Sequence, residues 1–359
     1  MPQPPDIADW ILQRCRELGF ARAGIARAEP TRYEKELRAW LAAGRQGEMT
    51  YLKRHEELLV DPARLVPGAK SIICAGDRYW GEGTEGPRDS GAEGRIARYA
   101  RGEDYHIVMK RRLHVLCDEL RDRHPREVFR VCVDTAPLLE REHAQRAGLG
   151  AVGKHTLLIE RSVGSWLLLG EIVTTLELEP SRPAKPDPCG SCTRCIDACP
   201  TGAITPWSVD ATKCISYLTI EHRSPVDEHL LPGVGNWIFG CDICQEVCPH
   251  NQPTQRSREA EVHEAYVPRR AGFDLLGVLN WTESDRRVVF TRSAMKRSKL
   301  AMMKRNALIA AGNTLAKHDE PALRARIEAL AEDAKEDAMV RETAAAVLRR
   351  LREFKTEQS

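Results

Sequence analysis

The sequence contains no apolar run near the roughly 18 residues that a membrane-spanning helix needs, which argues against an integral membrane protein. Its first thirty residues carry charges throughout and lack the uninterrupted apolar block of a secretory signal. A cytoplasmic protein without membrane association is therefore expected. Neither sign of charge dominates: 54 Lys+Arg stand against 52 Asp+Glu, a formal charge of +2. Any face that binds nucleic acid must then be local. With 42% hydrophobic and 30% charged residues, the chain also lacks the composition of a disordered protein. Its 359 residues suggest two or three domains, at about 100–200 residues each.

Cysteine is what the chain has in quantity. There are 12, and eight of them lie between Cys189 and Cys248. In a cytosolic chain of this size, such clustering points to metal or redox chemistry and not to a disulfide framework. Cys189-x2-Cys192-x2-Cys195-x3-Cys199-Pro200 has the spacing of the bacterial ferredoxin run. Three thiolates two residues apart can wrap one cubane from a tight loop, and the fourth reaches a second cluster. Cys214 and Cys241-x2-Cys244-x3-Cys248-Pro249 form the second half, with the first cysteine far upstream. By the ferredoxin crossing rule, Cys189, Cys192, Cys195 and Cys248 hold one [4Fe–4S] cluster. Cys199, Cys214, Cys241 and Cys244 hold the other. A pair of zinc sites is the competing reading, since zinc also takes four cysteines. Cys15, Cys74, Cys117 and Cys132 sit in apolar patterns and read as buried packing residues.

The organisation around the cysteines follows from periodicity and punctuation. Residues 1–180 alternate helix and strand signals, which predicts an α/β (α+β) domain. Strand runs are expected at 23–26, 71–75, 128–133, 156–159 and 166–175, and helices from Ile7 to Gly19, Asp104 to Arg123 and Leu138 to Ala147. The Gly-, Glu- and Ser-rich stretch 81–94 reads as a surface loop. Three prolines within 181–188 mark a boundary, and 181–258 is the two-cluster ferredoxin-like domain. Residues 259–359 read as helical, with a HEAT-like pair at 321–332 and 338–354.

Several segments occur together. They are Gly102-Glu103-Asp104-Tyr105-His106, Val133-Asp134-Thr135-Ala136-Pro137-Leu138-Leu139-Glu140-Arg141, and Ala147-Gly148-Leu149-Gly150 leading into Gly153-Lys154-His155-Thr156. Gly164-Ser165-Trp166, Cys214-Ile215-Ser216-Tyr217 and Gly235-Asn236 follow, with Arg305-Asn306 and Gly312-Asn313 closing the set. Over about residues 10–315 this resembles the epoxyqueuosine reductases. The resemblance implies a cobalamin cofactor in the N-terminal domain and HEAT-like helices at the C-terminus. The implied reaction is two-electron reduction of the epoxide of a tRNA wobble nucleoside, giving queuosine and water. Two positions depart from the family pattern: Gly150-Ala151 stands where Gly-Trp is usual, and Leu59 stands in a region where an Arg is common.

Asp134 follows an apolar strand run and by itself reads first as a helix N-cap. The resemblance instead implies the catalytic proton donor, a carboxyl whose pKa desolvation can raise. Tyr105, His106, Lys154, His155, Thr156, Ser216 and Tyr217 are expected, with Asp134, to line the cobalamin. For His106 a satisfied helix histidine, for Lys154 to Thr156 a solvated turn, and for Tyr217 core packing are the alternatives. The segment 286–305 holds eight cations and no acidic residue. That suits phosphate binding, and Lys296, Arg297, Lys304, Arg305 and Asn306 are the expected tRNA contacts. The remaining expectations are a monomer and an external low-potential electron donor of flavodoxin or ferredoxin type. A reductive dehalogenase, a ferredoxin-like electron carrier and a zinc-stabilised RNA-binding protein are the competing classes.

Overall fold

A computed structural model describes residues 6–81, 92–253 and 262–357. Most of the predicted 81–94 surface loop lies outside these residues. The strands that carry the architecture are β1 (Arg22–Arg27), β2 (Ser71–Arg78), β3 (Glu93–Ile96), β4 (Phe129–Cys132), β5 (Leu167–Thr174), β6 (Trp237–Phe239) and β7 (Gly272–Asp274). The helices that matter for the site are α1 (Ile7–Glu17), α2 (Tyr105–Arg123), α3 (Glu140–Arg146), α4 (Leu300–Leu315), α5 (Pro321–Glu332) and α6 (Ala338–Glu357).

The N-terminal sheet has the order β1-β2-β5-β4, and every neighbouring pair is antiparallel. The alternating helices and strands therefore build an α+β layer and not a parallel α/β sheet. Strand β2 is buried at all eight positions, as expected of a central strand covered on both faces. One side of the sheet packs against α1 and α2 through Ile11, Cys15, Met109, Leu113 and Cys117. The other carries Cys74, Cys132, Ala144 and Leu149. The four cysteines outside the ferredoxin-like runs are all buried.

The composition boundaries do not delimit separate packing units. Strand β3, from the first segment, pairs in parallel with β6 of the cysteine segment and antiparallel with β7 of the C-terminal segment. One core accordingly unites Ile96, Phe239, Phe273, Leu308, Leu323 and Val347. Asp77 at the end of β2 adds a polar stitch: Tyr266 Oη donates to it at 2.6 Å, and Arg112 forms a buried ion pair with it. Composition changes at residue 181, but the backbone of a three-strand sheet needs partners from distant segments. No helix among the described residues is long and apolar enough to cross a membrane. The HEAT-like pair, α5 and α6, packs on α4, where Gly312 gives the room Val347 needs.

Candidate active site

Asp134 sits just past β4 in the left-handed region, with φ +54°. Thr135 N–H donates to Val133 O at 2.6 Å, closing a three-residue turn around it. With a positive φ at its centre this is the rare, strained form of the γ-turn. Asp134 is no helix cap: α3 begins six residues later, with Leu139 as its N-cap. The turn instead leaves the carboxylate 52% exposed and aimed at α2.

Helix α2 starts at Asp104, whose side chain accepts from His106 N–H at 3.1 Å. The same carboxylate lies 2.7 Å from His106 Nδ1, and Asp134 Oδ2 lies 3.0 Å from His106 Nε2. Both ring nitrogens therefore face carboxylates. Burial works against charging His106, but Asp104 and Asp134 outweigh it and raise its pKa to about 9. At neutral pH it is an imidazolium, donating from both nitrogens. Desolvation likewise opposes charge on Asp134, but His106, then Arg297 and Arg141, hold its carboxyl below the usual range. The expected raised pKa on Asp134 is thus corrected: the exchangeable proton of this pair resides on His106. Tyr105 stacks on the imidazole at 4.0 Å between centroids. Its own hydroxyl is pushed up by burial and then by Asp134.

Asp104, Arg141 and Glu140 join the site without having been expected there from the sequence. Arg141 reaches Thr156, bonding its carbonyl at 3.2 Å and its hydroxyl at 3.3 Å, while Thr156 holds φ +68°. Burial, followed by Glu171 and Asp134, raises the Glu140 carboxyl well above its ordinary range. Asp104 precedes the Tyr-His pair and Glu140-Arg141 closes the Asp134 segment, so the available signal was adjacency to the motif residues.

The cysteines gather in two neighbouring sets. Cys189, Cys192, Cys195 and Cys248 line one cavity together with His155, Arg194, Pro249 and His250. Burial and then neighbouring thiols push Cys241 and Cys244 up; Cys214 acts on both, and Cys195 and Cys199 act on Cys244. Backbone amides are aimed at thiol sulfurs, Lys154 N–H at Cys189 Sγ (3.3 Å) and Ala203 N–H at Cys199 Sγ (3.4 Å). Such N–H···S bonds are the usual environment of a cluster.

Four of the residues expected at the cobalamin also make contacts within the cysteine segments or beside them. Lys154 Nζ is held by the carbonyls of Gly190 (2.6 Å) and Cys192 (3.0 Å), and His155 faces the first cavity. The amides of Ser216 and Tyr217 donate to Cys214. The Tyr217 hydroxyl accepts from Glu48 N–H at 2.6 Å, and its ring packs in a local core. Tyr105, His106, Asp134 and Thr156 remain grouped around the Asp134 turn. The two departures from the family pattern, Leu59 and Ala151, are both buried packing residues.

The basic segment divides as well. Lys304, Arg305 and Asn306, expected to contact tRNA, are buried on α4. Lys304 pairs with Glu336 at 2.6 Å. Arg305 donates to the carbonyls of Leu218, His222 and Ser224, and Asn306 to those of Thr219 and Ile238. They clamp the helix after Cys214 and β6 to α4. Arg286 is tied to the Ser298 and Lys296 carbonyls. Arg287, Arg292, Lys296, Arg297 and Lys299 stay exposed. Arg286, Arg287, Phe290, Thr291, Arg292 and Lys296 line an open hollow. This loop is stitched to the active site where Asp104 N–H donates to Arg292 O at 2.9 Å; the preceding Glu103 N–H is held separately, by Ala265 O at 2.7 Å. Gly102 is required there, because a Cβ would lie 2.7 Å from Ala265 O.

Comparison with known proteins accords with this geometry. A family model for a 4Fe–4S double cluster binding domain matches residues 188–251. A second, described as epoxyqueuosine reductase QueG, DUF1730, matches 60–135. The epoxyqueuosine reductase of Xanthomonas campestris is 40% identical over 328 residues, covering 89% of this chain and 90% of the relative. That of Burkholderia pseudomallei is 38% identical and covers 87% and 83%. Among solved structures, the Bacillus subtilis epoxyqueuosine reductase with its Asp134 catalytic loop swung out of the active site has a TM-score of 0.84 at 26% identity, covering 96% and 90%. An epoxyqueuosine reductase bound to an epoxyqueuosine-modified tRNA-Tyr stem loop has a TM-score of 0.81 at 26% identity, covering 96% and 98%. The chain belongs to the epoxyqueuosine reductase family: it is an oxidoreductase that acts on tRNA, and it carries two [4Fe–4S] clusters.

Proposed function

We propose that this chain reduces the epoxide of epoxyqueuosine using a proton held by His106 and delivered through Asp134. The carrying observation is the run of hydrogen bonds Asp104–His106–Asp134, at 2.7 and 3.0 Å, ending in an exposed carboxylate. Converting the epoxide to the alkene of queuosine takes two electrons and two protons and releases water. Cobalamin, when bound, supplies the low-potential electrons at the substrate carbon. Both nitrogens of His106 are engaged by carboxylates, which fits a side chain that holds a proton beside the cofactor. Tyr105, His106, Asp134 and Thr156, the last braced by Arg141, are the side chains that would border it. As the C–O bond breaks, Asp134 stands ready to pass a proton to the departing oxygen. His106 restores that proton, and Asp104 keeps the imidazole oriented and charged.

Cys189, Cys192, Cys195 and Cys248 hold one cluster in this reading, and Cys199, Cys214, Cys241 and Cys244 the other. The first set lies in the more open loop, where Gly190, Ser191, Thr193 and Arg194 are exposed. An external low-potential donor of flavodoxin or ferredoxin type delivers electrons there. A cytoplasmic monomer is the accompanying assignment.

The test is a pH profile of queuosine formation from epoxyqueuosine-containing tRNA. If His106 must be charged, activity falls as pH rises through about 9. Removing a neighbouring carboxylate weakens the imidazolium, so Asp104→Asn should move that alkaline limb toward the ordinary histidine value of about 6.5. A limb that stays in place would remove His106 from the proton path.

The exposed cations beside Asp104 suit the phosphates of an anticodon loop whose wobble base is splayed toward Asp134. Replacing Arg287 and Lys296 together by Gln should weaken tRNA binding. It should also flatten the plot of log affinity against log salt, by about 0.7 for each single-strand phosphate that is no longer neutralised. Thermal stability should be unchanged, since both side chains are exposed.

A further inference from the structure

His155 presents a polar atom that nothing among the described residues satisfies. The residue is 3% exposed, and Nε2 has no hydrogen-bond partner. The other nitrogen settles which one carries the proton. Leu157 N–H donates to Nδ1 at 3.1 Å, so Nδ1 is an acceptor. A neutral imidazole has one N–H, which must then be on Nε2. The ring's direction is set as well, because Cε1 packs closely over Gly153, where a Cβ would lie 3.3 Å away.

The ring borders the cavity that Cys189, Cys192, Cys195 and Cys248 also line. A buried N–H without a partner is costly to leave unmade. Here the cavity wall includes four thiols, with Arg194, Pro249 and His250. His250, on the same wall, has its Nε2 engaged by Pro188 O at 2.9 Å and does not share this position. A protonated Nε2 also cannot ligate iron without losing its hydrogen, so His155 is a donor and not a ninth ligand.

We infer that the Nε2–H of His155 donates a hydrogen bond to the cluster held by Cys189, Cys192, Cys195 and Cys248, and raises that cluster's reduction potential. This rests on the ligand assignment proposed above. A hydrogen bond to a cluster sulfur stabilises the reduced, more negative form. With Lys154 N–H already aimed at Cys189 Sγ, two consecutive residues of the Gly153 turn address one cluster.

The experiment is an anaerobic redox titration of the full chain with both clusters, followed by electron paramagnetic resonance, on wild type, His155→Leu and His155→Gln. His155→Leu should keep full iron and sulfide content and lower the potential of one cluster. A tenfold shift in its reduction equilibrium corresponds to 59 mV for one electron. His155→Gln, which can still donate, should recover part of that shift. Unchanged potentials in His155→Leu with both clusters present would overturn the inference. So would loss of one cluster in both variants, which would make His155 a holding residue. On unmutated protein labelled with 15N-histidine, the reduced cluster should show a weak nitrogen coupling, and its absence would also overturn the proposal. Cys189→Ala separates the two assignments: if it leaves both clusters intact, the ligand reading fails independently of His155.

Discussion

Asp134→Asn should abolish most turnover while leaving iron, sulfide and cobalamin content at wild-type levels. The amide keeps the shape and fits the same turn, since Asn tolerates the left-handed conformation at φ +54° well. It cannot take a proton from His106 Nε2 and pass it on. A positioned proton donor contributes about 10²–10⁴-fold, so a fall of that size in queuosine formation is expected. The substitution removes one of the two carboxylates that raise His106 to about 9, so residual activity should decline at lower pH than in the wild type. Stability is affected in a defined pH window. The contribution of the raised His106 is fully present below about 6.5 and is lost as pH rises through about 9. Melting curves of wild type and variant should therefore differ near neutral pH and converge in alkaline solution. Wild-type turnover by Asp134→Asn would remove this carboxylate from the mechanism.

Arg305→Ala should unfold the protein at markedly lower temperature without any specific effect on tRNA recognition. Arg305 is fully buried, and its guanidinium satisfies three backbone carbonyls and the Asn306 side chain. Burial lowers its pKa to about 10, which still leaves it charged at neutral pH. Truncation leaves those carbonyls without a donor and opens a cavity beneath the helix that follows Cys214. A loss on the order of 4 kcal/mol follows, from unsatisfied acceptors at about 1–3 kcal/mol each with partial relaxation. At about 2–4 °C per kcal/mol for a protein of this size, the melting temperature should fall by roughly 10 °C. Arg305→Lys should recover little, because a point charge cannot reproduce the planar fork. Calorimetry and tRNA binding at low temperature decide the matter: a weakened tRNA affinity with unchanged melting would return Arg305 to the tRNA interface.

The two cases show why parts of this protein were legible in its sequence and others were not. Helix α2 was legible because its N-cap, Asp104, and its apolar spacing are local. The HEAT-like pair was legible for the same reason, and the structure places its helices at Pro321–Glu332 and Ala338–Glu357. The expected strand at 156–159 shrank to Leu158–Ile159, because a turn at Thr156 occupies its first half. The run of cations from Arg286 to Arg305 looked uniform as sequence. Its last two members, Lys304 and Arg305, fall on α4, whose faces are almost wholly covered, and there the same charge meets a carboxylate and backbone carbonyls. Whether a cation meets phosphate or a carbonyl depends on burial, which charge patterning does not encode.

By itself the sequence determined the cysteine spacing, and with it a two-cluster domain, because cluster ligation is governed by short intervals along the chain. It also pointed to the family, through motifs spread from Gly102 to Asn313. Only the tertiary structure decided that Asp104 and Asp134, thirty residues apart, close on one imidazole from a helix start and a strained turn. Only the tertiary structure turned Lys154 and His155 to the cysteines and joined β3, β6 and β7 into one sheet. The physical reason is common to all of these. Proton affinity and hydrogen-bond partnership depend on groups brought together through space, and the packing of distant segments sets those distances.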